Sequence, residues 1–332
     1  MTKRDVVVLK LHRTERRWRL CISALLSVIL FGCGEQTTTE EQGDSEQMPV
    51  VEHSTESSDK NLAEALLYRW WGIFEAPDDV DVTPFFDELF SADVYLAMPG
   101  VELSGDEAIR TAFASLPPDN GRSHQLINVT VRPLTATNFQ LDAAFTYQIA
   151  RPDGSIDAGY SRYRHEMIKQ SDGSFRIANL TADLGDSLAI DVFEPSYATN
   201  RARGTLVQYL GITDLLHSDY APLQQVFSDR SEVIGMFDPL VETHNVRGDG
   251  ILRGVDEIRA WLSTRRDHYQ WVSHKLSQFE VESVGDRTYR ATAMVAVQAQ
   301  PIDGPLVDVA LPIELSFEDN DGRFMVITRI ER

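Results

Sequence analysis

Three observations make this sequence an α+β protein with two tandem copies of one domain. Each copy is expected to hold about three helices packed on a curved antiparallel sheet. First, the chain repeats itself. SHQLINVTV at 123–131 returns as SHKLSQFEV at 273–281, an offset of 150. Leu103–Arg110 is echoed by Leu252–Arg259, and Asp172–Ile177 by Asp321–Val326, both at an offset of 149. Second, within each copy the apolar period switches from helical spacing to alternation. Third, 332 residues with 42% hydrophobic and 25% charged content suit two folded domains, not one small core.

The N-terminus reads as an address. Residues 1–19 carry Lys3, Arg4, Lys10, Arg13, Arg16, Arg17 and Arg19, and an apolar run, LCISALLSVILFG, follows. A basic region before an apolar run of this length is a signal-peptide pattern, too short to span a bilayer comfortably. The run ends in Leu30-Phe31-Gly32-Cys33, which resembles a bacterial lipobox. That resemblance implies cleavage before Cys33, lipidation of its thiol, and a cell-envelope location. Gly34 after the cysteine leans towards an outer membrane. Residues 34–60 are rich in Thr, Glu, Gln and Ser, bury too little to offset ordering entropy, and read as a flexible tether. The expected organisation is a signal peptide over 1–32, a lipidated cysteine and tether over 33–60, domains over 61–186 and 200–332, and a join over 187–199.

The formal charge is −20, and the first 32 residues contribute seven Lys/Arg against two Asp/Glu, leaving −25 on the rest. Such a body repels phosphate backbones, so nucleic acid is not an expected partner. Cys21 and Cys33 are the chain's two cysteines, so the folded part has no disulfide, thiolate nucleophile or thiolate-ligated zinc. The eight histidines are spread without HxH or HxxxH spacing, and no cofactor or metal is expected.

Within repeat one, LAEALLYRWWGIFE (62–75) places Leu62, Leu66, Trp70 and Ile73 on one helical face, with Asn61 and Glu64 at capping-box spacing. PFFDELF starts a short helix at Pro84, DVYLAM is strand-like, and Ser104 is set to cap a third helix with Glu107 three residues on. Four alternating strands follow: SHQLINVTVRPL, NFQLDAAFTYQIA, SIDAGYSRYRHEMIKQ and GSFRIANLTADL, with turns at Asp153-Gly154 and Asp172-Gly173. Repeat two copies the order, with Pro312 marking an edge or bulge in its third long strand.

The strings FSADVYLAMPG and LSGDEAIRTAF, the Ser-His phrase of both repeats and VGDRTYRATAMVAV (284–297) resemble the nuclear-transport-factor-2-like superfamily. Within it the chain is most similar to the SnoaL-like branch, which includes polyketide cyclases and lies near scytalone dehydratase and ketosteroid isomerase. The resemblance covers both repeats. It implies a cone, a bent sheet wrapped round a helix with an apolar pocket at one end. It implies no single activity, since members include isomerases, dehydratases, cyclases and pure binders.

In dehydratase-like relatives a histidine in this phrase lines the pocket as acid/base, which makes His124 the candidate catalytic group, with Tyr95 or Tyr147 as its polarising hydroxyl. The structural alternative is a strand-start ring fixed by a backbone carbonyl. Such relatives add a carboxylate, but ALLYRWWG contains none, and Glu64 and Glu75 sit at the helix ends. Tyr68, Trp71, Asp93, Tyr163, His165 and, in repeat two, His274 are the candidate ligand-binding residues. Ser161, Tyr163 and His165 share one strand face and Tyr160, Arg162 and Arg164 the other, either of which could line the cone. Gln208, Tyr209 and Asp214 are the polar residues of repeat two's helix, and that copy reads more as a scaffold.

Three functions fit. One is a non-catalytic module binding a small apolar ligand or an envelope protein. Another is a lyase or isomerase using His124. The third is a tandem pseudo-dimer, whose internal contact the family suggests would run through the sheets.

Overall fold

The computed structural model describes residues 50–86, 88–116, 119–171, 173–216, 237–244, 251–265 and 267–331. The expected signal segment, Cys33 and the expected tether up to residue 49 lie outside them.

Domain 1 runs α1 (Val50–Glu75), α2 (Thr83–Phe86), β1 (Phe90–Met98), β2 (Val101–Ser104), α3 (Asp106–Ala114), β3 (Arg122–Pro133), β4 (Asn138–Ala150), β5 (Ile156–Lys169) and β6 (Phe175–Ser187). Domain 2 repeats the plan with α4 (Tyr197–Leu216), β7 (Phe237–His244), β8 (Ile251–Arg253), α5 (Gly254–Arg265), β9 (Tyr269–Gly285), β10 (Thr288–Pro301), β11 (Val307–Glu318) and β12 (Val326–Glu331). The sheets have the same order, β2-β1-β6-β5-β4-β3 and β8-β7-β12-β11-β10-β9. The expected α+β class and the two copies are both present. The four-strand meander is antiparallel, as alternation predicted, but each sheet also gains one parallel pair, β1 with β6 and β7 with β12.

The bulges are duplicated too. β3 shifts register between Leu126 and Asn128, three residues past His124, and β9 shifts between Leu276 and Gln278 at the matching place. β6 carries an extra residue opposite Glu166/Met167, and β12 carries one opposite Ser316/Phe317. A bulge bends and twists its strand, so both copies curve at the same points.

Several local expectations change. The helix begins at Val50, not at residue 61, so the expected tether ends earlier. Its first turns find partners the local sequence does not contain: Ser58 Oγ donates to the Gly211 carbonyl at 2.8 Å, and Asp59 pairs with Lys169 at 2.6 Å. Asn61 is therefore interior to α1 and caps nothing. Ser104 belongs to β2, and α3 starts after Gly105, whose φ of 86° a residue with a Cβ rarely adopts. The one-sided apolar face of α1 is half the story, because Ala63, Leu67, Tyr68 and Trp71 are buried as well as Leu62, Leu66, Trp70 and Ile73. One side of α1 meets its own sheet and the other meets domain 2. Pro312 lies within β11, but β12 pairs with β11 only from Glu314 onward, so the proline sits at a locally free edge.

The main described contact between the domains is helix on helix, not the expected sheet on sheet. α1 and α4 lie against each other, and α1 also packs on β9. A Cβ on Gly204 would come within 2.8 Å of Tyr68 Cβ, and one on Gly211 within 2.9 Å of Leu62. Glycine is what lets the two helices approach so closely.

Candidate active site

β3 enters the sheet of domain 1 directly beneath the C-terminal end of α1. This puts His124 under Glu75. The His124 ring Nδ1 lies 2.9 Å from Glu75 Oε1, and the His124 backbone N–H donates to the same oxygen at 2.8 Å. Ser196 Oγ donates to it at 2.8 Å and Asn200 Nδ2 at 2.9 Å. Asn200 also reaches Glu75 Oε2 at 3.1 Å and the His124 carbonyl at 2.8 Å. The carboxylate is an acceptor in all of these contacts. The network therefore assigns the proton of the Nδ1···Oε1 bond to the histidine, and in the neutral ring the lone pair is then on Nε2. Among the described residues Nε2 makes no hydrogen bond. The imidazole stacks on Trp71 at 5.3 Å and 7°, with Phe74 and Phe145 tilted around it.

His124 lines a cavity of about 560 Å³. Its walls are mostly apolar, including Phe74, Met98, Phe145, Ala182 and Leu184, and Tyr147, Tyr163 and Ser161 add hydroxyls. Arg122 and Arg151 at its edge are each engaged, with Asp119 at 2.6 Å and Asp157 at 2.5 Å. Tyr147 is the direct cross-strand neighbour of His124. Its hydroxyl reaches over Gly159, where a Cβ would lie 2.9 Å from it. Ser161 Oγ is committed to the Asp183 carbonyl at 3.0 Å. Burial pushes the Tyr163 hydroxyl further up, so it stays protonated.

The structure settles which face of β5 looks inward: Ser161, Tyr163, His165 and Met167 are buried and their neighbours exposed. Of the expected site residues, His124, Tyr147 and Tyr163 meet at the cavity. The other candidates of domain 1 do not line it. Tyr95 alternates with buried Val94 and Leu96 and so faces away, beside Glu102. Asp93 is exposed on that same outer face. Trp71 backs the imidazole without lining the cavity. Tyr68 points to the domain contact, donating to Glu64 Oε1 at 3.0 Å, and burial first, then Glu64, raises its pKa well above the usual value. His165 is wholly buried against Tyr163 and outside the cavity lining. Neither of its ring nitrogens has a partner among the described residues, and burial lowers its pKa to about 3.

His274 forms a matching dyad, with its acid from domain 2 and the supporting serine and asparagine from α1. Its Nδ1 lies 2.5 Å from Asp214 Oδ1, while Ser57 Oγ donates to Asp214 Oδ2 at 2.7 Å. Asn61 Nδ2 reaches Asp214 Oδ2 at 3.3 Å and the His274 carbonyl at 3.0 Å. Burial raises the Asp214 carboxyl against the pull of His274. The cross-strand neighbour of His274 is Val297, however, and Ile313 stands where domain 1 has Tyr163. The second copy keeps the dyad and loses the hydroxyls.

Sequence reasoning missed Glu75 by discounting it as a helix end. It was legible in the repeat. Ser57, Asn61, Gly72 and Glu75 recur as Ser196, Asn200, Gly211 and Asp214, all at an offset of 139. That register differs from the 149–150 of the strands, which hid it.

No family model matches the sequence, and no curated protein matches it. Solved structures similar to the chain include nuclear transport factor 2 of Cryptosporidium parvum, 15% identical over 37% of this chain and 92% of that one, with a TM-score of 0.31. They include a hexachlorocyclohexane dehydrochlorinase of Novosphingobium barchaimii, 12% identical over 44% and 99%, with a TM-score of 0.35. A cystatin-like-fold protein of Caulobacter vibrioides is 17% identical over 44% and 95%, with a TM-score of 0.32. The two six-stranded sheets, each with one long helix against it, are the two α+β copies expected from the sequence.

Proposed function

We propose that domain 1 is a lyase or isomerase site that abstracts a proton from carbon in a small, mostly apolar molecule. The observation that carries this reading is the His124–Glu75 dyad at the wall of an apolar cavity, with Nε2 unengaged. In this reading Nε2 takes the substrate proton, Glu75 orients the ring and stabilises the imidazolium, and Tyr147 donates to the oxygen or leaving group that gathers charge. The proton then returns at another carbon, or the leaving group departs with the C–H electron pair forming a double bond.

The rival reading, a non-catalytic binder, rests on the lack of an acid within ALLYRWWG and on the expected tether. Glu75 supplies one. The same cavity still favours a small apolar ligand in either case.

Nitrobenzisoxazole tests the proposal without knowledge of the natural substrate. A base that removes its ring C–H breaks the N–O bond and releases a coloured cyanophenolate. The full chain is expected to accelerate this opening, and His124→Gln and Glu75→Gln to lower kcat about 100-fold or more. A His124→Gln variant as fast as wild type sinks the assignment.

We also propose, from the lipobox resemblance alone, that Cys33 carries the lipid that holds both domains at a membrane. Among the described residues no helix is long and apolar enough to cross one. Globomycin is expected to leave an uncleaved precursor, and normal processing in its presence counts against the anchor.

A further inference from the structure

Glu75 and His124 come from domain 1, yet two of the groups that hold them come from domain 2. Ser196 and Asn200 lie at the start of α4, and Asn200 alone contacts both carboxylate oxygens and the His124 carbonyl. The reverse holds at the other end of the helix pair. Asp214 and His274 belong to domain 2, and Ser57 and Asn61, which contact them, belong to α1. Each helix thus carries its own domain's acid at its C-terminal end and the other domain's serine and asparagine near its N-terminal end.

Asn200 is 3% exposed and Glu75 has no exposed side-chain surface. A carboxylate so placed is costly unless its lone pairs are filled. Its rotamer is fixed by whatever fills them. Oε1 receives the His124 ring, and Asn200 bridges Oε1 and Oε2. Removing that bridge frees the carboxylate to turn, and with it the choice of which histidine nitrogen carries the proton.

We propose that Asn200 is a positioning residue for the His124–Glu75 dyad, supplied by the neighbouring domain, and that Asn61 does the same for His274–Asp214. The site of domain 1 is then incomplete without domain 2. This rests on the reading of His124 as a base, but its direct readout does not.

The test uses the full chain. Long-range proton–nitrogen NMR correlations report which ring nitrogen of each histidine is protonated, with His124→Gln identifying the His124 signals. Wild type is expected to show His124 protonated at Nδ1. Asn200→Ala is expected to show a mixture of tautomers, and Asn61→Ala to do the same to His274. Asn200→Asp is nearly isosteric but sets a second carboxylate against Glu75, so it is expected to disturb the ring at least as much as alanine does. With nitrobenzisoxazole, Asn200→Ala is expected to lower kcat about 10- to 100-fold with KM nearly unchanged. If Asn200→Ala fails to fold, Ser196→Ala removes a single donor to the same oxygen and takes its place. An unchanged His124 tautomer in a folded Asn200 or Ser196 variant overturns the proposal whatever the activity. A tautomer that shifts while His124→Gln retains full rate supports the positioning and overturns the base.

Discussion

His165 shows why a histidine's type and strand face do not make it a site. β5 carries it inward one step beyond Tyr163, into a layer between Leu141 and Leu180 with no polar partner among the described residues. It folds as a neutral ring, with its pKa lowered to about 3 by burial. Between that value and the ordinary 6.5 the unfolded chain binds a proton that the fold does not. The contribution is therefore neutral above pH 6.5 and turns destabilising as pH falls through that window. From pH 7.5 to pH 5 it costs about 2 kcal/mol, at about 1.4 kcal/mol per pH unit below 6.5. His165→Leu is expected to lose about that much less stability over the same change, measured by urea unfolding. An identical pH slope in both proteins would show that His165 finds a partner when charged. His124 differs by position alone. It sits where β3 passes the end of a helix that brings an acid, and that meeting of distant segments is not written in either segment.

At the scale of elements, helix identity and order were readable from periodicity, and the strands from alternation and their Asp-Gly turns. What alternation could not supply was the second face of α1. A helix buried on both sides has too little amphipathic contrast to announce two partners. Its extra turns, residues 50–60, look like tether because their partners are on α4 and β5. A chain starting at Asn61 is therefore expected to unfold at lower urea than one starting at Val50, since it lacks the Ser57, Ser58 and Asp59 contacts. Equal midpoints would mean those turns add nothing. The helix crossing makes a sharper case. Gly204→Ala gains about 1 kcal/mol of helix propensity, but the new methyl meets Tyr68 Cβ at 2.8 Å. That atom is fixed to the backbone of α1 and cannot swing aside. Overpacking of this kind costs about 1–3 kcal/mol, so the variant is expected to be net destabilised in urea unfolding. A stabilised variant would show that the helices can part freely.

At the scale of the whole chain, the two copies are alike in plan and unlike in their contact. The 139-residue register places Glu64 of α1 opposite Arg203 of α4, its counterpart by repeat. Arg203 lies 5.9 Å from the Tyr68 ring and lowers the pKa of Glu64, which burial otherwise raises. Two copies of domain 1 alone would set Glu64 against Glu64, and two of domain 2 Arg203 against Arg203. Separately produced residues 50–188 and 189–332 are expected to bind each other in size exclusion more strongly than either binds itself. A stable homodimer of the first half, undisplaced by the second, would contradict this. The duplication was plain in the sequence, and so was the fold. The pairing was not, because it depends on two registers, one for helices and one for strands, that only the folded chain brings together.

The exchange of serine and asparagine across the helix pair has a consequence for heredity. Substitution of Ser196 or Asn200 removes a partner of the first domain's acid, and substitution of Ser57 or Asn61 removes one from the second's. Neither half can be transplanted, shuffled or lost without changing the other. Inherited apart, each copy would lack the serine and asparagine that the other supplies to its acid.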